Sequence, residues 1–459
     1  MRMLKIVLAA AVGNTLEIYD LVIYGFFAVS ITEHFFPQQE QVTGLVSTFA
    51  VFFIGYLARP IGALFFGRIG DQLGRKPALL ISIWLMALST CGIGLIPDYD
   101  TIGGPILLLL NLRIFQGISC GGELTGSVIF IVEHAPKTWR GFYGSLSITG
   151  LSLGILFASL FSWLTHLIFN EVELTTWAWR LPFFLGALGG IIGWFARRAV
   201  PETDLFEETY RLPQSYFETR REVVKQLRPA LKIMGIELFS SVLAYLIYVF
   251  LVTYMTSILQ YTPRQALSIT TVSIILLAFL GPCVGKLSDH VGRRPIMAFG
   301  IIGSALWMGP YFLLLQQQSV AVALLAQMIM TLFAAAYLSI NIITMVEIVP
   351  VHMRFSVVAV AHAVTVSLFG GMTPLIATLL IKWQHAYLGL AILVSVAALI
   401  SLFTVYKIRE TRYVPKSIEQ SIQESIKQIA RNRLANGDSV EKVAAITGLS
   451  EDEVTALKP

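Results

Sequence analysis

The chain of 459 residues is 56% hydrophobic and 13% charged, with a formal net charge of +5. Polar surface is too scarce to cover a soluble body of this length, which excludes soluble enzymes and nucleic-acid binders, and the basic excess falls at loop positions where it orients a membrane protein. The three cysteines, Cys91, Cys120 and Cys283, lie inside apolar runs without metal-ligand spacing, so neither a disulfide framework nor a metal site is expected.

Apolar runs of spanning length, about 20 residues each, fall near 6–29, 43–66, 78–97, 105–132, 142–168, 180–199, 231–259, 265–286, 296–315, 320–346, 355–381 and 386–407. The first carries Glu17 and Asp20 and lacks a small-residue cleavage site, so it reads as a span and not as a leader. Cations concentrate on one side: Arg2, Lys5, Arg68, Arg75, Lys76, Lys137, Arg140, the cluster from Arg197 to Lys232, Lys286, Arg293, Arg294, Arg354, Lys407 and Arg409. The other side offers little beyond Arg180, Arg264 and Lys382. This bias predicts twelve spans with both termini in the cytoplasm. The expected organisation is six spans over 1–199, a cytoplasmic linker over 200–230, six spans over 231–408 and a helical tail over 409–459, where Ser450 opens a capping-box pattern.

Two patterns occur twice. Residues 67–77 read GRIGDQLGRKP and residues 285–295 read GKLSDHVGRRP. Each copy pairs an aspartate with an arginine four positions on, Asp71 with Arg75 and Asp289 with Arg293, around a glycine able to turn the chain sharply. After the fourth and tenth runs, Glu133, Pro136 and Arg140 recur as Glu347, Pro350 and Arg354. Together with RIFQG from Arg113 and GGE ending at Glu123, these patterns resemble the major facilitator superfamily over about 400 residues. The stretches GNTLEIYD from Gly13, Arg59-Pro60 and WAWRLPF from Trp177 are similar to the metabolite:proton symporter family, whose members carry proline and betaine, shikimate, 2-oxoglutarate or citrate.

The resemblance implies an all-α membrane fold of twelve helices in two pseudo-symmetric six-helix bundles, around a central cavity that opens alternately to each side. It also implies a bacterial cytoplasmic membrane, a small-molecule substrate, a functional monomer in contact with lipid, and no cofactor beyond a coupling proton. No nucleotide loop, metal-ligand spacing or nucleophile elbow is present, so no enzymatic activity is expected. One departure stands early in the eleventh span: proline and betaine carriers tend to have an aromatic-asparagine pair there, and this chain reads Ala361-His362-Ala363.

At 1.5 Å per residue, Glu17, Asp20 and Arg59 lie about 15 to 22 Å deep in a hydrocarbon core about 30 Å thick, and Arg113 reaches a comparable level from the other side. Unpaired charges there cost several kcal/mol, so they must face a wet cavity or one another. Glu17, Asp20 and Tyr24 share one helical stripe, and Phe52, Tyr56 and Arg59 share another. With Glu123 included, three carboxylates oppose two guanidinium groups. The surplus makes Glu17, Asp20 and Glu123 the candidates for proton coupling; a static paired network is the competing reading.

Arg59 and Arg113 can each fork to a substrate carboxylate. Tyr24, Tyr56, Phe115 and Trp163 supply aromatic faces that serve either a substrate ammonium or packing, and Gln116 a polar contact. In the second half, Glu237 and His362 are the main titratable candidates. The Asp71, Arg75, Asp289 and Arg293 set is expected to act as a cytoplasmic gate, intact in the outward-open state and broken in the inward-open one. The expected function is proton-coupled import of a small organic zwitterion or carboxylate such as proline or betaine. Its rivals are a dicarboxylate, tricarboxylate or shikimate-type carrier, a carrier or exporter of a larger metabolite or metal chelate, and a transporter-derived sensor. Gly150 and Gly154 occur in the fifth span without the proline common in exporters of the superfamily, which argues for import.

Overall fold

The computed structural model describes residues 2–73, 75–99, 103, 105–121, 123–198, 220–349, 354–381 and 386–412, and in the tail 430–431, 433–434, 439–447, 450 and 454–455. Every regular element among them is helical. Hydrocarbon demands this, because only a helix or a closed barrel satisfies its own peptide groups without water. Helix α1 (Arg2–Phe26) bends by 59° into Ala28–Phe35. Helix α2 joins Gln41–Leu57 to Arg59–Leu73, α3 is Arg75–Leu95, α4 joins Ile106–Ser119 to Glu123–His134, α5 is Arg140–Ile168 and α6 is Leu181–Arg198.

In the second half, α7 runs through Arg220–Ala244, a π-helical Tyr245–Phe250 and Leu251–Ser257. Helix α8 is Pro263–Val291, α9 is Arg293–Leu315 and α10 joins Val320–Leu338 to Asn341–Glu347. Helix α11 joins Arg354–Thr365, a π-helical Val366–Gly370 and Thr373–Ile381, and α12 is Ala386–Lys407. Among the described residues, ten stretches are long and apolar enough to cross a membrane, the bent pair at α1 adds an eleventh, and the shorter apolar Leu80–Leu95 stands at the remaining expected position. Helix α7 begins at Arg220, inside the stretch expected as linker; 199–219 lie outside the described residues. From Arg412 the chain forms a separate unit, where Ala430, Val443 and Val454 are buried together.

The outer surface is apolar, with Leu88, Leu107, Phe279, Leu306 and Leu399 exposed where lipid tails would stand. Inside, helices approach through small residues. At the crossing of α2 and α4, a Cβ on Gly117 would overlap the Gly55 carbonyl, and one on Gly55 would crowd the backbone of Arg113. This close approach sets the Arg113 turn of α4 beside the Tyr56 and Arg59 turns of α2.

The two halves meet at both ends of the buried layer. At the end carrying the loop motifs, Asp289 of α8 accepts hydrogen bonds from the backbone of Gly141 (2.8 Å) and Phe142 (3.0 Å) in the first turn of α5. An acidic side chain at a helix N-terminus satisfies otherwise orphaned N–H groups and complements the helix dipole. Arg293 braces Asp289 at 2.9 Å and reaches Glu347 at 3.2 Å, while Glu410 accepts from the backbone of Arg293 and Arg294. The motif glycine, Gly292, holds φ of 114°, a conformation that strains any side-chain-bearing residue. Arg354 of α11 pairs with Glu133 of α4 at 2.9 Å, a second link between halves. The side chains of Asp71 and Arg75 lie outside the described residues.

At the opposite end, the Tyr245 hydroxyl donates to that of Tyr56 at 2.8 Å, and Phe49 packs edge-on against Phe250. The rings of Tyr245 and Tyr56 fill the space at Gly370 and Gly371 of α11.

Asp289→Asn removes the charge from the interhalf cap at nearly constant volume. A loss of about 1–2 kcal/mol from one state alone shifts the population about five- to thirtyfold toward opening at the motif end. Cys120 lies on the wall of the small cavity between the halves and reports this directly when Cys91 and Cys283 are replaced by serine. Its maleimide labelling rate should rise in Asp289→Asn, while a probe at Phe49→Cys should slow. Unchanged rates for both would reduce Asp289 to a surface anchor.

Candidate functional site

A layer of charge crosses the middle of the first half. Glu17 of α1 and Arg59 of α2 are both buried, and the guanidinium donates to the carboxylate at 2.6 Å. Each cancels the other's charge where desolvation makes an isolated ion intolerable, so removing either alone costs about 3–5 kcal/mol. Arg59 can sit there because α2 breaks at Ala58, and its guanidinium also faces the Tyr56 ring at 5.4 Å.

Asp20, one turn beyond Glu17, has different neighbours. Its carboxylate meets the Thr90 hydroxyl of α3 and packs against Gly186 of α6, where any Cβ would collide with Oδ1. It is buried and, among the described residues, forms no ion pair, and Oδ1 has no hydrogen-bond partner. The shared stripe read from the sequence thus divides, with Glu17 turned toward α2 and Asp20 toward α3 and α6.

Arg113 is 1% exposed and held between two rings, with its guanidinium carbon 4.3 Å from the Tyr24 centroid and 5.0 Å from that of Phe52. One terminal nitrogen donates to Gln116; Nε and the other terminal nitrogen have no hydrogen-bond partner among the described residues. No described carboxylate pairs with it. Gln116 joins it to the Asp20 region, donating to the Asp20 carbonyl at 3.0 Å and to Thr90 at 2.8 Å. Tyr24 donates to the Thr48 carbonyl at 3.1 Å.

Of the remaining sequence candidates, Trp163 is half-buried and packs on the hydrophobic core, and Phe115 is 47% exposed on the outer surface of α4. The side chain of Glu123 lies outside the described residues. Sequence reasoning missed Thr90, Gly186 and Tyr245, since each acts on a group from another helix. It also missed the π-helical turns of α7 and α11, for which no local signal stands out.

A small cavity separates the halves at the level of Arg59. Arg59, Cys120, Gly121, Leu124 and Thr125 line it from the first half, with Ala359, His362 and Ala363 opposite.

Residues 6–210 match the family model described as sugar (and other) transporter, and residues 233–449 match that of the Major Facilitator Superfamily. The chain is 32% identical over 423 residues to the proline/betaine transporter of Escherichia coli strain K12, covering 90% of this chain and 84% of that one. It is 32% identical over 426 residues to the glycine betaine/proline/ectoine/pipecolic acid transporter OusA of Dickeya dadantii, covering 90% and 85%. Among solved structures, the partially occluded inward-open xylose transporter XylE of E. coli superimposes with a TM-score of 0.71 at 19% identity, covering 90% of this chain and 99% of that one, a likeness of fold. The chain is a multi-pass membrane protein that belongs to the major facilitator superfamily and, within it, to the metabolite:proton symporter family.

Proposed function

We propose that the chain imports small zwitterions of the proline and betaine type together with a proton, with Arg113 receiving the substrate carboxylate and Asp20 carrying the proton. The observation that carries this reading is the state of Arg113: a fully buried guanidinium, unmatched by any described carboxylate, with two nitrogens lacking hydrogen-bond partners. A buried cation in that condition is stabilised by an anion that comes and goes, and a carboxylate fits its planar fork. Arg59 does not offer the same opportunity, because Glu17 already occupies it.

Coupling follows from the electrostatic contact between Asp20 and Arg113, bridged by Gln116. When Asp20 is ionised, it offsets the positive charge of Arg113. Protonation leaves that charge uncompensated and strengthens the hold on a carboxylate; by linkage, substrate binding strengthens the hold on the proton. Affinity should therefore rise as pH falls.

A single unneutralised arginine in the described layer suits one carboxylate better than the two or three of citrate-type substrates, which favours the zwitterion over the organic-acid reading. The relatives' printed substrates point the same way. The path lies between the halves of one chain, so the monomer suffices, without cofactor. The loop cations favour the bacterial cytoplasmic membrane with both termini inside.

Proteoliposome uptake of labelled proline and glycine betaine tests this reading. An imposed proton gradient should drive accumulation and a protonophore should abolish it; accumulation that follows sodium instead would overturn proton symport. Arg113→Lys keeps the charge but loses the fork and should raise the apparent KM about ten- to hundredfold, from a charge-assisted pair worth about 1.5–3 kcal/mol.

Asp20→Asn mimics the protonated form. It should retain proline exchange across the membrane, lose accumulation and bind with an affinity independent of pH between 5.5 and 8, which are chosen assay conditions. A pH dependence equal to that of the unaltered protein would move the proton elsewhere.

A further inference from the structure

The second half contains a buried acid that the transport reading leaves unused. Among the described carboxylates in its spans, Asp289 and Glu347 both hold Arg293. Glu237 of α7 pairs with no described arginine or lysine, although it is only 5% exposed. Its oxygens receive neutral donors at long range, from Ser241 at 3.3 Å and Asn341 of α10 at 3.2 Å. The remaining neighbour is His362 of α11, whose Nδ1 stands 3.6 Å from the carboxylate, beyond hydrogen-bond reach, and has no other partner. His362 is 7% exposed and lines the cavity between the halves.

We propose that Glu237 and His362 form a second protonation site, one proton shared by the pair, filled when the cavity is open to water and trapped when the halves close. The inference rests on the transport reading above and adds a site in the other half. Its basis is the charge balance around the cavity. Across from His362 stand Arg59, neutralised by Glu17, with Cys120 and Thr125. On α7 the groups are Glu237 and Ser241; on α10 they are Asn341 and Tyr337, whose hydroxyl donates to the Ile236 carbonyl; on α12, Ser401 donates to the Gly235 carbonyl. Without a proton the pair carries one net negative charge where both side chains are buried, a costly state. With one, it is either two neutral groups or an ion pair, and the proton belongs to both residues jointly.

The geometry also supplies an order of events. His362 stands on the cavity wall, so water entering from either side can deliver the proton to the imidazole. Transfer from Nδ1 to the carboxylate then needs only a modest approach of the two side chains. No other bond forms or breaks. The proton leaves by the same imidazole when the opposite side opens, so this site is loaded and emptied by the alternation that moves the substrate.

The test is the number of protons moved per proline, read from the reversal of labelled proline flux at imposed pH gradients in proteoliposomes. Glu237→Gln keeps the side-chain shape and one accepting oxygen, facing Ser241 or Asn341, and should lower the ratio by one relative to the unaltered protein, with proline counterflow preserved. His362→Asn serves as the second variant if Glu237→Gln does not fold: it removes the cavity-facing relay and should slow proton-driven uptake at least tenfold while leaving counterflow within twofold. An unchanged ratio in Glu237→Gln, or unchanged uptake in His362→Asn, would overturn the second site. A wild-type flux indifferent to the proton gradient would instead overturn the symport reading on which it rests.

Discussion

Hydrocarbon offers no partner to a charge or to an open peptide group, and the arrangement of this chain follows from that constraint. Peptide groups are satisfied by folding every described regular element as a helix, and charges by withdrawing them from the lipid face into the layer between helices. Glu17 and Arg59 meet the constraint on charge by closing on each other at 2.6 Å. Arg113 meets it only in part, through one amide and two aromatic faces. The difference separates a neutralised ion pair from a buried cation with hydrogen-bonding capacity left over.

The same constraint explains how closure at the motif end is achieved. The halves pack along the length of α5 and α8, and a few strong polar contacts close the motif end of that interface. Asp289 caps α5 from across the interface, Arg293 holds Asp289, and Glu410 caps the helix that Arg293 begins. Of these contacts only the Asp289 cap of α5 crosses between the halves; those of Arg293 with Asp289 and Glu347, and the Glu410 cap, lie within the second half. At the other end the Tyr245 to Tyr56 bond is neutral, and Arg264 of α8 donates to the His166 carbonyl of α5 at 2.7 Å.

The repeated Asp-Arg pattern, the spans and the depth of the buried charges were legible in the sequence because each depends on short-range spacing or on hydropathy. Partner choice was not. Glu17 and Asp20 are three residues apart and face different helices, because the rotation of α1 against α2, α3 and α6 is fixed by Gly186 and by the crossing of α2 with α4. The reach of Asp289 to the backbone of α5 was hidden for a related reason: a backbone N–H carries no sequence label. Glu237 and His362 were visible as titratable residues, but their proximity depends on the packing of α7 against α11.

The duplication also separates framework from function. Gln116 of α4 donates to the α1 backbone at Asp20, and Gln327 of α10 donates to the α7 backbone at Ile247, so the two halves share an amide that ties equivalent helices together. Three residues before the glutamine, the first half has Arg113 and the second has Leu324, which packs against the core. A guanidinium at that level is therefore no requirement of the fold, since the second copy holds the same helix contact without it. In the second half the glutamine oxygen accepts from Tyr311 at 2.6 Å, where in the first it accepts from Arg113. One scaffold carries a neutral, closed hydrogen bond in one copy and an incompletely satisfied cation in the other.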